Sequence, residues 1–341
     1  MKTILITGGA GFIGSNFTRY IFNKYKDYKI IVVDALTYAA NPDSIPEDIK
    51  KSDRFEFWYG NVKNQDLIDS LIGRSDIVVH FAAESHVARS ILENRTFYVT
   101  DVLGTYAVAN GVLKNKKIER FIHISTSEVY GTALSNPMTE DHPLNPLTPY
   151  ASAKAGADRL VYSYFTTYGI PAIIIRPFNQ YGPCQHLEKA IPRFITSAIL
   201  DEPLTVHGDG SARRDWTFVE DTCRAIDSAL HTDIEKLKGE VINIGTAYDP
   251  NMMEVAKKIL NVINKPKDLI KCVNDRPGQV QHHIACNAKA QELLAWKPEV
   301  SFDEGITRTI NWYEKNRDWW KKMLWMRKVE IKLEDGEKVS Y

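Results

Sequence analysis

The chain has 341 residues, with 43 lysines and arginines balanced by 43 aspartates and glutamates. A formal charge of zero argues against nucleic-acid binding, which needs a basic excess, and against a tail acting through bulk charge. Apolar residues make up 44% and charged residues 25%, the balance of a soluble globular chain, and at roughly 150 residues per domain the length suits two domains.

Met1-Lys2 runs straight into a strand-like stretch with no leader pattern, and no apolar run is long enough to span a bilayer. A cytoplasmic protein without membrane contact is expected. Cys184, Cys223, Cys272 and Cys286 form no CxxC pair. Four thiols in a reducing compartment are expected, and no metal site.

Strands are predicted at Thr3–Thr7, Lys29–Asp34, Arg54–Tyr59, Asp76–Phe81, Arg120–Ser125 and Ala172–Arg176. Each is nearly all apolar, as in a parallel sheet covered on both faces. Helix-length segments such as Ile13–Tyr25 and Tyr150–Tyr168 lie between them. The rhythm predicts an α/β fold, a doubly wound parallel Rossmann sheet with a smaller, discontinuous α/β C-terminal substrate domain. Residues 1–176 form the first domain, rejoined by about 218–246, where Val241–Ile244 reads as a further buried strand. Residues 177–330 form the second and 331–341 a tail. Trp312, Trp319, Trp320 and Trp325, set among lysines, predict an amphipathic helix and extension packed on the body or a partner subunit.

Gly8, Gly11 and Gly14 follow the first strand and, with Phe12 and Ile13, open a helix. That is the context of a pyrophosphate turn at a helix N-terminus. Asp34 ends the second strand, twenty residues after Gly14. A carboxylate there accepts both ribose hydroxyls and repels a 2′-phosphate, so NAD is expected over NADP. Asn61 and Val62 follow the third strand, where an adenine edge is read. Ala82 and Ala83 end the fourth, and their small side chains let the cofactor lie close.

Tyr150 and Lys154 are spaced i, i+4 and share one helix face. The ammonium lowers the phenol pKa, so that a phenolate can take a hydroxyl proton while hydride leaves the same carbon. The pair lies about twenty residues beyond Ser125–Gly131, which closes the fifth strand at the ligand-binding edge of such sheets.

These residues resemble the extended short-chain dehydrogenase/reductases. Leu36-Thr37-Tyr38-Ala39, His80–Val87, Asn179–Pro183, Glu188-Lys189 and Arg214-Asp215-Trp216 resemble, more closely, the nucleotide-sugar 4,6-dehydratases, of which the dTDP-glucose branch is nearest. The resemblance runs to about residue 315. It implies NAD chemistry on a nucleotide-diphosphate sugar. Tyr150 would deprotonate the 4-hydroxyl, Lys154 would hold the nicotinamide ribose, and Thr126 would bond the 4-oxygen. Glu128 would remove the C5 proton, water would leave from C6, and hydride would return there. Asn179 and Arg214 would grip the diphosphate with Arg276 near them. Glu188, Lys189 and Asn251 would lie around the nucleotide. The resemblance adds Thr100 to the cofactor site and Ser85 to the substrate site. It also implies a homodimer built from helices at Ala88–Leu113 and Tyr150–Tyr168.

Ser127 stands where the dTDP-glucose enzymes have an aspartate that protonates the departing 6-hydroxyl. The same Thr-Ser-Glu triplet occurs in GDP-mannose 4,6-dehydratases and in UDP-glucuronate decarboxylases. Ala88 and Asp101 replace an aspartate and an asparagine, and 277–282 lack the branch's charges. A decarboxylase or a 4-epimerase on the same scaffold therefore stays open as the alternative, and an NAD-binding regulator as a third. Glu84 disfavours a carboxylate substrate, and Glu128 is superfluous for epimerisation. His282 and His283 would point apart in an extended segment.

Overall fold

A computed structural model describes residues 1–274, 278 and 280–327, and the backbone alone of 330–332 and 338–340. Its centre is a seven-stranded sheet, parallel throughout. Six of the strands are β1 (Lys2–Thr7), β2 (Tyr28–Asp34), β3 (Phe55–Tyr59), β4 (Ile77–His80), β5 (Arg120–Ile124) and β6 (Ala172–Pro177). The strand Val241–Ile244 adds to β6 at one edge, and the order across the sheet continues β5, β4, β1, β2, β3.

Alternate residues of each strand feed opposite faces. Ile4 and Ile6 pack with Phe17 of the first helix (Phe12–Lys24) and Ile226 of the helix Val219–His231. Leu5 packs on the other face with Ile68, Val108 and Val161. Both faces are apolar because both are covered. β3 departs from this: it is the sheet edge, and Trp58 and Tyr59 at its end are exposed.

A second core gathers Tyr181, Ile191, Phe194, Val206, Trp216, Ile259 and Tyr313. Here Leu204–His207 pairs in parallel with Ile270–Val273. Trp319 and Trp320 are buried in this core and Trp312 packs against it, whereas Trp325 is exposed. The Trp320 indole N–H donates to the Tyr313 carbonyl at 2.7 Å. The helix Ala288–Leu294 returns to the first core beside Ile242, carrying Ala290 and Leu294.

The single helix expected over Ala88–Leu113 is broken. Glu93 has φ −139° and ψ 91°, which ends a helix at Val87–Leu92. Its carboxylate then accepts the Thr96 N–H at 3.2 Å, satisfying an orphan donor of the next turn. The chain resumes through Arg95–Phe97, a wider π turn at Tyr98–Leu103 and the helix Gly104–Lys114. No helix among the described residues is long and apolar enough to cross a membrane.

Candidate active site

β1 and β4 are neighbours although two strands, β2 and β3, separate them in the chain, so the strand order reverses between them. Their carboxyl ends flank the crevice where open α/β sheets bind ligands. A cleft of about 500 Å³ occupies that place.

At its floor Gly8 has φ +70°, and a Cβ there would lie 2.6 Å from the Ala82 nitrogen. A Cβ on Gly14 would meet the Gly8 carbonyl oxygen at 2.3 Å. The turn therefore lets backbone approach backbone as a pyrophosphate cradle requires. Gly11 caps the first helix without a side-chain bond, which leaves its dipole and amide hydrogens toward the cleft. Asp34 braces the cradle: Ala10 N–H donates to Oδ2 and Leu36 N–H to Oδ1, both at 2.9 Å. Burial pushes its carboxyl up, and those two bonds oppose the shift. Phe12, Ile13, Asn61, Val62, Ala82, Ala83 and Thr100 line the same cleft. This donor set and cradle fit a dinucleotide with bare ribose hydroxyls.

Beyond β5 the chain enters a short 3₁₀ turn, Ser127–Tyr130, where Thr126 Oγ1 accepts the Glu128 N–H at 3.2 Å. The helix Pro149–Tyr168 faces that turn, with Thr148 accepting the Ala151 N–H and proline in its first turn. Tyr150 and Lys154 point from it into the cleft, which Thr126, Ser127 and Glu128 also line. Burial pushes the Tyr150 phenol far up, a bond with Thr126 opposes this, and Asp101 and Glu128 add to it. Thr126 is thus a group that opposes the rise. The Lys154 ammonium donates to the Ile124 carbonyl at 2.7 Å. Burial pulls its pKa down, while Asp101 and Asp158 push it up. Asp101 sits on the π turn, accepts the Glu84 N–H at 2.7 Å and leaves its buried Oδ2 without a hydrogen-bond partner.

At the substrate end, Ser85, Asn179, Glu188, Lys189 and Arg214 line the cleft. Glu188 receives the Arg89 Nε–H at 3.1 Å, and Lys189 donates to the Ser85 carbonyl. Both therefore meet the 84–89 segment. Asn251 is outside the lining: it caps the helix Met252–Ile263 in a reciprocal box with Glu254. Arg276 lies outside the described residues.

The far end of the cleft went unread in the sequence. Arg193, Thr205, His207 and Met252 line it, and Thr205 Oγ1 is buried without a partner. The signal was present: Leu204–His207 alternates buried and half-buried residues, so Thr205 and His207 face away from the core. His282 and His283 do point apart. His282 Nε2 lies 2.7 Å from Asp249, whereas His283 turns inward to Ser127 and Gly131.

The sequence profile of the GDP-mannose 4,6-dehydratase family matches residues 5–309. The chain is 43% identical to the low-salt glycan biosynthesis protein Agl12 of Haloferax volcanii, covering 91% of this chain and 98% of that one. It is 39% identical to the dTDP-glucose 4,6-dehydratase of Haemophilus influenzae, over 92% of this chain and 98% of the relative. Among solved structures, the dTDP-glucose 4,6-dehydratase DesIV of Streptomyces venezuelae, with NAD bound, superposes with a TM-score of 0.90 at 36% identity, covering 94% of this chain and 99% of that one. The chain belongs to the GDP-mannose 4,6-dehydratase family, within the extended short-chain dehydrogenase/reductases, and is an NAD-dependent nucleotide-sugar 4,6-dehydratase.

Proposed function

We propose that this hydro-lyase converts an NDP-hexose to the NDP-4-keto-6-deoxyhexose with Thr126, Glu128, Tyr150 and Lys154 as its working groups. The observation that carries this reading is their meeting in one cleft with the glycine cradle and Asp34. NAD, held by the glycine cradle and Asp34, would supply the hydride acceptor for C4 and the donor for C6. Tyr150 takes the 4-hydroxyl proton, Thr126 holds the 4-oxygen, and Lys154 holds the nicotinamide ribose. The resulting 4-ketone acidifies C5–H, and Glu128 removes that proton. Oxidation precedes elimination because C5–H is not acidic until the ketone exists.

Asn179 and Arg214 bind the diphosphate in this reading. Residues 1–176 with 218–246 form the cofactor half and 177–330 the sugar half. The buried Glu84 carboxyl lines the cleft and discourages a further negative charge at the sugar. That weighs against a hexuronate substrate and its decarboxylation.

A homodimer fits the exposed Tyr98, Leu103, Tyr106 and Tyr162 on the two helical stretches expected at the interface. Light scattering on the purified protein tests it. For the activity, mass spectrometry of products from dTDP-, UDP-, GDP- and CDP-glucose is decisive. A product lighter than its substrate by one water supports the reading. Carbon dioxide release from UDP-glucuronate, or epimers of unchanged mass, would replace it with a decarboxylase or an epimerase.

A further inference from the structure

A serine at 127 leaves open how the departing 6-hydroxyl is protonated. Behind Ser127 stands His283, whose ring is fully buried. Its Nδ1 lies 3.4 Å from Ser127 Oγ and its Nε2 lies 2.6 Å from the Gly131 carbonyl oxygen. A carbonyl only accepts, so Nε2 carries a hydrogen. In the neutral ring Nδ1 is then bare and accepts from the Ser127 hydroxyl. Protonation at Nδ1 reverses the bond: the ring donates to Oγ, and the serine hydrogen turns toward the cleft that Ser127 lines.

The ring is fixed from several sides. Gly131 has φ +69°, where a Cβ would meet the Asn145 carbonyl at 2.0 Å. Phe178 packs edge-on, with centroids 5.9 Å apart. His283 is in register with Arg214, and the Asp215 N–H donates to its carbonyl at 3.0 Å.

We infer that His283 delivers the leaving-group proton through Ser127, in place of the carboxylic acid of the dTDP-glucose enzymes. This rests on the 4,6-dehydratase reading. Glu128 takes the C5 proton, the C5–H electron pair becomes the C5–C6 π bond, and O6 leaves with the C6–O pair. O6 takes the Ser127 hydrogen and departs as water. Oγ takes the Nδ1 proton, and the ring becomes neutral. Hydride then adds at C6 while Glu128 returns its proton to C5, a solvent proton passes back through Ser127 to the ring, and Tyr150 releases to solvent the proton it took from the 4-hydroxyl. The cycle loses only water.

The surrounding charges time this transfer. Burial holds the His283 pKa below its ordinary value, Glu128 raises it, and Arg214 and His282 lower it. Asp215, next in the chain, spends its carboxylate on Thr246, Ala247 and Ala285. Glu128 is thus the carboxylate that favours the imidazolium. When Glu128 gains the C5 proton its charge disappears, and the ring becomes a stronger acid as O6 departs.

His283 is a positioning and relay residue, acting through Ser127. In the holoenzyme, His283→Phe keeps the ring volume and removes both nitrogens. With dTDP-glucose and UDP-glucose as probes, product formation falls ~100-fold or more, the usual size of a lost general acid. Reduced-nicotinamide absorbance still rises on mixing, because oxidation at C4 does not use the pair. Adding Ser127→Asp to His283→Phe restores dehydration to within ~10-fold of the parent, since a carboxylic acid needs no relay. An unchanged rate in His283→Phe, loss of the nicotinamide signal, or failure of the double variant to recover overturns the inference. A parent enzyme inert toward dTDP-, UDP-, GDP- and CDP-glucose alike sinks the activity reading instead. The pair is then read by nitrogen NMR of the imidazoles: Ser127→Ala moves the His283 Nδ1 resonance, and an unmoved resonance overturns the contact.

Discussion

Asp158 and Arg176 form a two-pronged buried ion pair, Nε to Oδ2 and Nη2 to Oδ1, each at 2.9 Å. The pair ties the helix carrying Tyr150 and Lys154 to β6. Arg176 continues to the Tyr130 hydroxyl at 2.8 Å, and Tyr130 donates to Asn243 at 2.7 Å. Removing one partner strands the other charge in the core, so Asp158→Ala is expected to cost about 3–5 kcal/mol, read from urea unfolding. The deficit depends on pH. Burial pushes the Asp158 carboxyl up, but the Arg176 bonds outweigh it and hold the group below its usual value. Its contribution is complete above the ordinary carboxylate pKa of about 3.9 and is lost as pH falls through the lower folded value. The parent and Asp158→Ala therefore converge in stability in acid.

Glu128→Gln separates the two halves of the reaction. The amide cannot accept the C5 proton, so water loss falls by ~10²–10⁴-fold. Tyr150 and Thr126 are untouched, and stopped-flow absorbance shows the nicotinamide still reduced on addition of substrate. An overall rate equal to the parent's removes Glu128 from its role.

Asp101→Asn tests the carboxyl under the catalytic helix. Burial pushes Asp101 up, Lys154 and the Glu84 amide oppose this, and Glu84 adds to it. A carboxyl raised on folding stabilises the protein below its unfolded pKa and loses that contribution as pH rises through the folded one. The asparagine has no such loss. Its stability relative to the parent is expected to be greater at about pH 8 than at about pH 5, where most of the difference in protonation between the folded and unfolded states has yet to act. Denaturant midpoints at the two pH values check this.

Gly14→Ala weakens the cofactor cradle. Alanine gains up to about 1 kcal/mol in helix propensity. Its Cβ, however, would lie 2.3 Å from the Gly8 carbonyl oxygen, and relieving such a clash costs about 1–3 kcal/mol in a tight site. Less NAD is expected to remain on the purified variant, measured by extraction and absorbance.

What the sequence revealed was what local spacing determines. Gly8, Gly14 and Asp34 are placed by one strand–helix–strand unit, and Tyr150 and Lys154 by one helical turn. The Ser127–His283 contact joins residues 156 apart, and Arg89–Glu188 residues 99 apart. No periodicity predicts such meetings. Apolar content likewise could not tell an edge strand from a central one, so β3 passed for a covered strand. The end of the helix at Glu93 depends on a carboxylate bonding three residues ahead, not on a proline or glycine.

The polypeptide crosses between the two cores several times: Val219–His231 and Val241–Ile244 return to the first, Met252–Ile263 to the second, Ala288–Leu294 again to the first, and Phe302–Lys315 to the second. The lobes are laced together rather than strung on one hinge. No single scission yields two autonomous fragments, and widening the cleft requires several connections to give at once. Such stitching suits a catalyst that keeps one dinucleotide through many turnovers.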